Sequence, residues 1–131
     1  MEELAGEVKR RISIVESYSR NYAEYLHRGD YAKASEALWG ILNNLASILS
    51  LLHGGRPISR HDELRSFVND LAAALKSEEV VKWFKACERL HANHNFMDKD
   101  TFEEHRAEAE KLIYTLQKLV VDKLRELGIS P

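Results

Sequence analysis

Apolar residues recur every three or four positions along almost the whole chain, which is the spacing of amphipathic helices. The stretches with this pattern are 3–28, 31–53, 59–75, 78–94 and 100–127. No stretch alternates apolar and polar residues convincingly, as a half-buried strand would. The pattern predicts an all-α fold, an antiparallel up-and-down bundle of four to five helices joined by short connections.

The breaks between these stretches carry residues that begin or end helices. Gly29 suits the left-handed position after a helix, and Pro57 blocks continuation of the second helix. Asp30 can cap the second helix, and Ser59 and Ser77 stand where the next two begin. Asp100, followed by Glu103, has the spacing of a capping box and predicts the start of the last helix.

The length and the charge of the chain limit the classes of protein to which it can belong. At 131 residues the chain predicts a single domain, 1–131, and its 19 basic and 21 acidic residues give a formal net charge of −2. This balance excludes a strongly basic nucleic-acid coat but allows a local basic patch. The single cysteine, Cys87, excludes an internal disulfide and lies on an apolar stripe, so we expect a small core residue.

The same sequence argues against export and membrane insertion. The N-terminal segment is acidic and then basic, without the apolar centre of a signal peptide. The longest uncharged run, Ala37–Leu52, is shorter than the ~20 apolar residues of a membrane span and contains asparagines and serines. We expect no membrane contact and a cytoplasmic setting.

The candidate chemistry lies in the segment ACERLHANHNFMDKD, residues 86–100. His91 and His94 are three residues apart on one helix face, a spacing that can hold one metal ion. Tetrahedral zinc needs further ligands, and Asp98, Asp100 and His61 can be recruited only by folding. Because no second ligand pair is visible, we expect neither a metal site nor a cofactor.

Arg89 and His94 form a second candidate, a catalytic pair for RNA cleavage. A histidine can exchange a proton with a ribose 2′-hydroxyl or a leaving 5′-oxygen, while an arginine stabilises the phosphate charge. On a continuous helix the two side chains point about 140° apart, so they converge only if the helix ends or a second copy contributes one of them. Lys82 and Lys85 lie on the same side of the predicted helix as Arg89, and the three residues form a basic stripe that can bind a phosphate backbone.

A structural interpretation accounts for the same residues. Cations near a helix C-terminus complement the helix dipole, and both histidines continue an apolar stripe at the core edge. Glu36, on a half-buried face of the second helix, can orient a histidine, hold an arginine, or make a purely structural contact.

Two segments carry a resemblance to a known family. GDYAKASEALWG, residues 29–40, and LHAN, residues 90–93, resemble an archaeal family first described as paralogous repeat genes of Pyrobaculum, which is grouped with the HEPN superfamily of helical bundles. The resemblance covers most of the chain. It implies a HEPN-like bundle, and many HEPN proteins are metal-independent ribonucleases of toxin–antitoxin and defence systems.

The resemblance also implies roles for particular residues. HEPN ribonucleases carry Arg, four to six residues, then His, and dimerise to form a composite site, so Arg89 and His94 become catalytic candidates, assisted by His91. Asn93, Lys82, Lys85 and Glu36 become candidates for substrate binding. The expected partners are a second copy of the chain, RNA, and an antitoxin or nucleotidyltransferase-like protein.

Leu90 follows Arg89 where active members often carry a polar residue, and this favours a degenerate paralogue whose site has lost its chemistry. The alternative is a non-catalytic helical module that binds a nucleotidyltransferase-like partner, a nucleotide or RNA. In the archaeal family an aromatic residue typically follows LHAN where this chain has His94, so His91 and Asn93 are a second choice for the functional pair.

Overall fold

The computed structural model describes residues 2–130, and within them the chain forms helices joined by short connections, without a strand. The elements are α1 (Glu2–Arg28), α2 (Tyr31–Leu52), α3 (His61–Leu75), α4 (Glu78–Ala92), a short 3₁₀ helix (His94–Phe96) and α5 (Lys99–Leu127). The predicted all-α helical bundle is confirmed. None of the helices in residues 2–130 has both the length and the apolar character needed to cross a membrane.

Helix α2 is the central element, because it packs against all four other α-helices. Its apolar residues cover more than one face, and side chains such as Leu38, Leu42 and Ile48 are buried. Helix α1 runs antiparallel to it, and a methyl group at Gly40 would lie only 2.6 Å from the Tyr18 ring. Glycine at this position therefore allows α1 and α2 to approach closely.

The core is formed by the apolar stripes that the periodicity predicts. The largest fully buried side chains include Phe84, Phe102, Leu42, Leu90 and Leu112. Cys87 is also buried, and loss of solvent raises the pKa of its thiol to about 12. The prediction that Cys87 is a core residue is confirmed.

The predicted helix starts are correct for α2 and displaced for α3 and α5. Asp30 caps α2, since its carboxylate accepts the backbone N–H of Lys33 at 3.1 Å. Asp98, rather than Asp100, caps α5 and accepts the N–H of Thr101 at 2.7 Å. Helix α3 begins at His61, two residues after Ser59, because the Glu63 carboxylate accepts the N–H groups of the residues just before the helix.

A polar contact joins α1 to α5 beside the core. The Tyr22 hydroxyl donates a hydrogen bond to the Glu110 carboxylate at 2.6 Å, and Arg106 donates to the same oxygen at 3.0 Å. Burial, and then the bond to Glu110, raise the pKa of the Tyr22 phenol well above its ordinary value. The folded protein therefore keeps this proton at a pH where the unfolded chain loses it.

We expect Tyr22→Phe to lower the free energy of unfolding by about 1 kcal/mol near neutral pH, because it removes one hydrogen bond while Arg106 still pairs Glu110. Since the folded-state pKa is raised, the contribution of Tyr22 is complete below about pH 10 and is lost as the pH rises above it. Urea unfolding on both sides of this pH measures the change. Tyr114→Phe, at a side chain that is 69% exposed, is the matched control. An equal deficit of Tyr22→Phe at both pH values would contradict the assignment.

Candidate functional site

The site begins where α4 ends. Helix α4 stops at Ala92, and Asn93 lies at its C-cap with a side-chain amide that donates to the Arg89 carbonyl at 2.9 Å. The chain then turns into the 3₁₀ helix that begins with His94. The expected break in the helix is therefore present, and it moves His94 out of the regular α4 register.

This turn places two histidines against a carboxylate on α2. His91 Nδ1 lies 2.9 Å from Glu36 Oε1, and His94 Nδ1 lies 3.3 Å from the same oxygen. The three side chains are between 30% and 41% exposed, so solvent and small ligands reach them. We call Glu36, His91 and His94 the histidine cluster. It brings together three of the residues singled out from the sequence.

The hydrogen-bond partners fix the orientation of both rings. The Glu36 carboxylate accepts from His91 Nδ1, and the His91 backbone carbonyl accepts from His94 Nδ1 at 2.7 Å. An ionised carboxylate and a carbonyl can only accept, so in each neutral ring the proton lies on Nδ1. Each Nε2 then carries a free electron pair, which can take a proton or bind an electrophile.

Aromatic packing supports the histidine cluster from behind. The Trp39 indole stacks on the His91 ring with centroids 4.1 Å apart and planes 6° from parallel. His61 meets the edge of Trp39 at 4.9 Å, and its Nε2 lies 2.8 Å from Glu88. His61 is therefore engaged with Glu88. Trp39 restrains the orientation of the His91 ring.

A surface cleft of about 530 Å³ opens beside the histidine cluster. Glu36 and His94 line it, together with Tyr18, Asn21, Tyr25, Asp30, Ala32, Lys33, Ala37 and Asn95. The cleft lies between the end of α1, the start of α2 and the 3₁₀ helix. It has both hydrogen-bonding and aromatic groups, and Lys33, whose Nζ lies 4.0 Å from Asp30 Oδ2 and 5.8 Å from the centre of the Tyr25 ring, supplies a positive charge.

Arg89 is not part of this arrangement within one chain. It precedes His91 by two residues on α4, so the two side chains point about 160° apart around the helix. Arg89 is exposed and, among residues 2–130, its side chain makes no hydrogen bond or ion pair with either histidine. The helix break does not bring the Arg89 and His94 side chains together.

The other predicted binding residues also lie apart from the cleft. Lys82 and Lys85 are exposed and follow the Arg89 side of α4, and we call these three residues the basic stripe. Asn93 is exposed and caps α4, whereas Asn95 lines the cleft. Of the four candidates for substrate binding, Glu36 alone lines the cleft.

Lys33 and Asn95 are among the cleft residues that the sequence analysis did not single out. Lys33 lies one turn before Glu36 on α2, so helical spacing from Glu36 was a signal that could have found it. Asn95 follows His94 directly, but its direction depends on the 3₁₀ turn. The pairing of Glu36 with His91 joins residues 55 positions apart and required the packing of α2 on α4.

The fold and the site define an all-α bundle with a carboxylate–histidine cluster at the edge of a surface cleft. The model of the archaeal PaREP1/PaREP8 family matches residues 10–113, so the chain belongs to this family. The matched segment contains the whole histidine cluster and the basic stripe. Comparisons with the curated proteins and with the solved structures found no match to this chain.

Proposed function

We propose that this protein is a metal-independent endoribonuclease of HEPN type that uses the histidine cluster for proton transfer. The observation that carries the proposal is that His91 and His94 both have Nδ1 bonded to fixed acceptors, and that His94 and Glu36 line an open cleft. Their ring centroids are 6.1 Å apart, close enough for both rings to reach one phosphodiester group. Two histidines so placed supply a general base and a general acid.

The reaction needs two proton transfers and no water. His91 Nε2 accepts the proton of the ribose 2′-hydroxyl as that oxygen attacks phosphorus, and Glu36 stabilises the positive charge that appears on the ring. The bond from phosphorus to the 5′-oxygen then breaks, and His94 in its protonated form gives that oxygen a proton. The products are a 2′,3′-cyclic phosphate and a free 5′-hydroxyl.

The phosphate also needs a cation to balance the charge that builds in the transition state. Lys33 lies in the cleft of the same chain. Arg89 faces away from its own histidines, so in this proposal a two-fold dimer brings the Arg89 of one copy to the cleft of the other. Phe96, which is 89% exposed beside the histidine cluster, is an apolar surface that a second copy would cover.

The test is cleavage of end-labelled single-stranded RNA by the purified protein in excess EDTA. We expect products with a 2′,3′-cyclic phosphate, identified by mass, and no cleavage of a strand with 2′-deoxyribose at the cut site, because that strand lacks the nucleophile. The His91→Ala/His94→Ala double variant should be inactive. Products with a 5′-phosphate, or equal cleavage by the double variant, would contradict the proposal.

A second candidate function, a non-catalytic binding module, is favoured by the basic stripe. Lys82, Lys85 and Arg89 are exposed and make no ion pair within residues 2–130, so they are free to bind RNA or the acidic surface of a nucleotidyltransferase-like partner. In that case the protein should bind labelled RNA or such a partner with a strong salt dependence and should not cleave RNA.

A further inference from the structure

Beyond RNA cleavage, the histidine cluster has the composition and spacing of a transition-metal site. Each of its three residues offers one ligand atom, and these atoms all lie within 4.8 Å of one another. Two imidazoles and one carboxylate form a mixed nitrogen and oxygen donor set. First-row divalent metals are bound by such a set, whereas Mg²⁺ and Ca²⁺ prefer oxygen ligands.

The measured separations fit a common metal centre. Metal–ligand bonds of about 2.0–2.1 Å place neighbouring ligand atoms about 2.9 Å apart at right angles and about 3.4 Å apart at tetrahedral angles. Glu36 Oε1 lies 2.9 Å from His91 Nδ1 and 3.3 Å from His94 Nδ1. The two distances that involve the carboxylate therefore need little side-chain movement to accept an ion.

We propose that Glu36, His91 and His94 bind one divalent first-row transition metal ion, such as Zn²⁺ or Co²⁺. The three residues leave at least one coordination position, and their partial exposure beside the cleft lets water fill it. The Trp39 stack restrains the His91 ring before the ion arrives, which lowers the entropic cost of binding. His61 stays outside the ligand set because its Nε2 is bonded to Glu88.

Binding requires the ring proton to leave Nδ1 of each histidine. In the metal-free protein each Nδ1 donates a hydrogen bond, to the Glu36 carboxylate or to the His91 carbonyl. A metal ion bound at Nδ1 shifts this proton to Nε2 of the same neutral ring, whereas a ring that is protonated on both nitrogens must first lose one proton to solvent, so acid weakens binding.

Metal binding also has a consequence for RNA cleavage, and this consequence, unlike the binding, rests on the proposed function. An ion held at Nδ1 of both rings and by Glu36 takes over the carboxylate that orients His91 and leaves the ring proton on Nε2, which then has no free electron pair. His91 then no longer acts as a base, so the ion is an inhibitor of the metal-independent reaction.

The test is calorimetric titration of tag-free, EDTA-stripped and dialysed protein with Zn²⁺, Co²⁺ and Mg²⁺, with Co²⁺ absorption as a second readout. We expect one saturable Zn²⁺ or Co²⁺ ion per chain and a visible Co²⁺ spectrum of nitrogen and oxygen ligation. His91→Ala, His94→Ala and Glu36→Gln should each weaken binding by about 100-fold. His27→Ala, at an exposed histidine in the last turn of α1, should bind as the wild type does.

The metal site would be overturned if the wild type showed no saturable binding of Zn²⁺ or Co²⁺, or if the three ligand variants bound these ions as strongly as the wild type does. Binding of Mg²⁺ as strong as that of Zn²⁺ or Co²⁺ would also overturn it. Circular dichroism of each variant distinguishes a lost ligand from a lost fold. Cleavage of RNA in EDTA is scored separately. Metal binding without RNA cleavage supports the metal site and contradicts the proposed ribonuclease. RNA cleavage without metal binding supports the ribonuclease and contradicts the metal site.

Discussion

The His91→Ala variant is expected to cleave RNA about 10²–10⁴-fold more slowly than the wild type, the usual contribution of a positioned general base. The loss follows from the Glu36 carboxylate, which holds His91 Nδ1 and leaves Nε2 as the proton acceptor. Initial rates on end-labelled single-stranded RNA in EDTA measure the effect. Because His91 is 31% exposed at the edge of the core, its removal should leave the bundle folded.

The control for this prediction is a histidine away from the histidine cluster. His53 is exposed at the C-terminal end of α2, so His53→Ala should cleave at the wild-type rate. His91→Gln keeps most of the side-chain volume against Trp39, and it should be as slow as His91→Ala if proton transfer is the cause. A His91→Gln rate close to that of the wild type would contradict the assignment of His91 as a base.

The fold was predictable because helical periodicity is a local property of the sequence. Each apolar stripe identified its helix, and strong breakers such as Gly29 and Pro57 located the connections. The exact start of α5 was not predictable, since Asp98 and Asp100 are equally good capping residues. Asp98 was selected by its extended backbone, with φ −106° and ψ 172°, which the sequence pattern does not encode.

The site was predictable only in part, because it depends on how helices pack. The sequence identified Glu36, His91 and His94 as candidates, but it paired His94 with Arg89 on the basis of spacing. In the folded chain His94 shares the Glu36 carboxylate with His91, while Arg89 faces the opposite side of α4. A motif fixes distance along a chain, whereas the direction of each side chain depends on where the helix ends and what it packs against.

Mixing two inactive variants tests whether two copies of the chain share one site. His91→Ala and Arg89→Ala should each be nearly inactive alone, since loss of the general base costs about 10²–10⁴-fold and loss of one transition-state cation about 10²–10³-fold. When the two variants are unfolded and refolded together, half of the dimers contain one of each chain. In each mixed dimer one cleft combines an intact His91 with the intact Arg89 of the other copy, so about a quarter of wild-type activity should return.

The recovery separates a composite site from a site within one chain. If Lys33 alone held the phosphate, the Arg89→Ala variant would cleave RNA at the wild-type rate. That result would contradict the shared site in a dimer but would leave the proposed histidine chemistry intact. If Arg89 acted within its own chain, both variants would be inactive and mixing would restore nothing. A mixture of His91→Ala with His94→Ala is the matched control. It should stay inactive, because both substitutions affect the same cleft and every mixed dimer then carries a damaged histidine cluster in each copy.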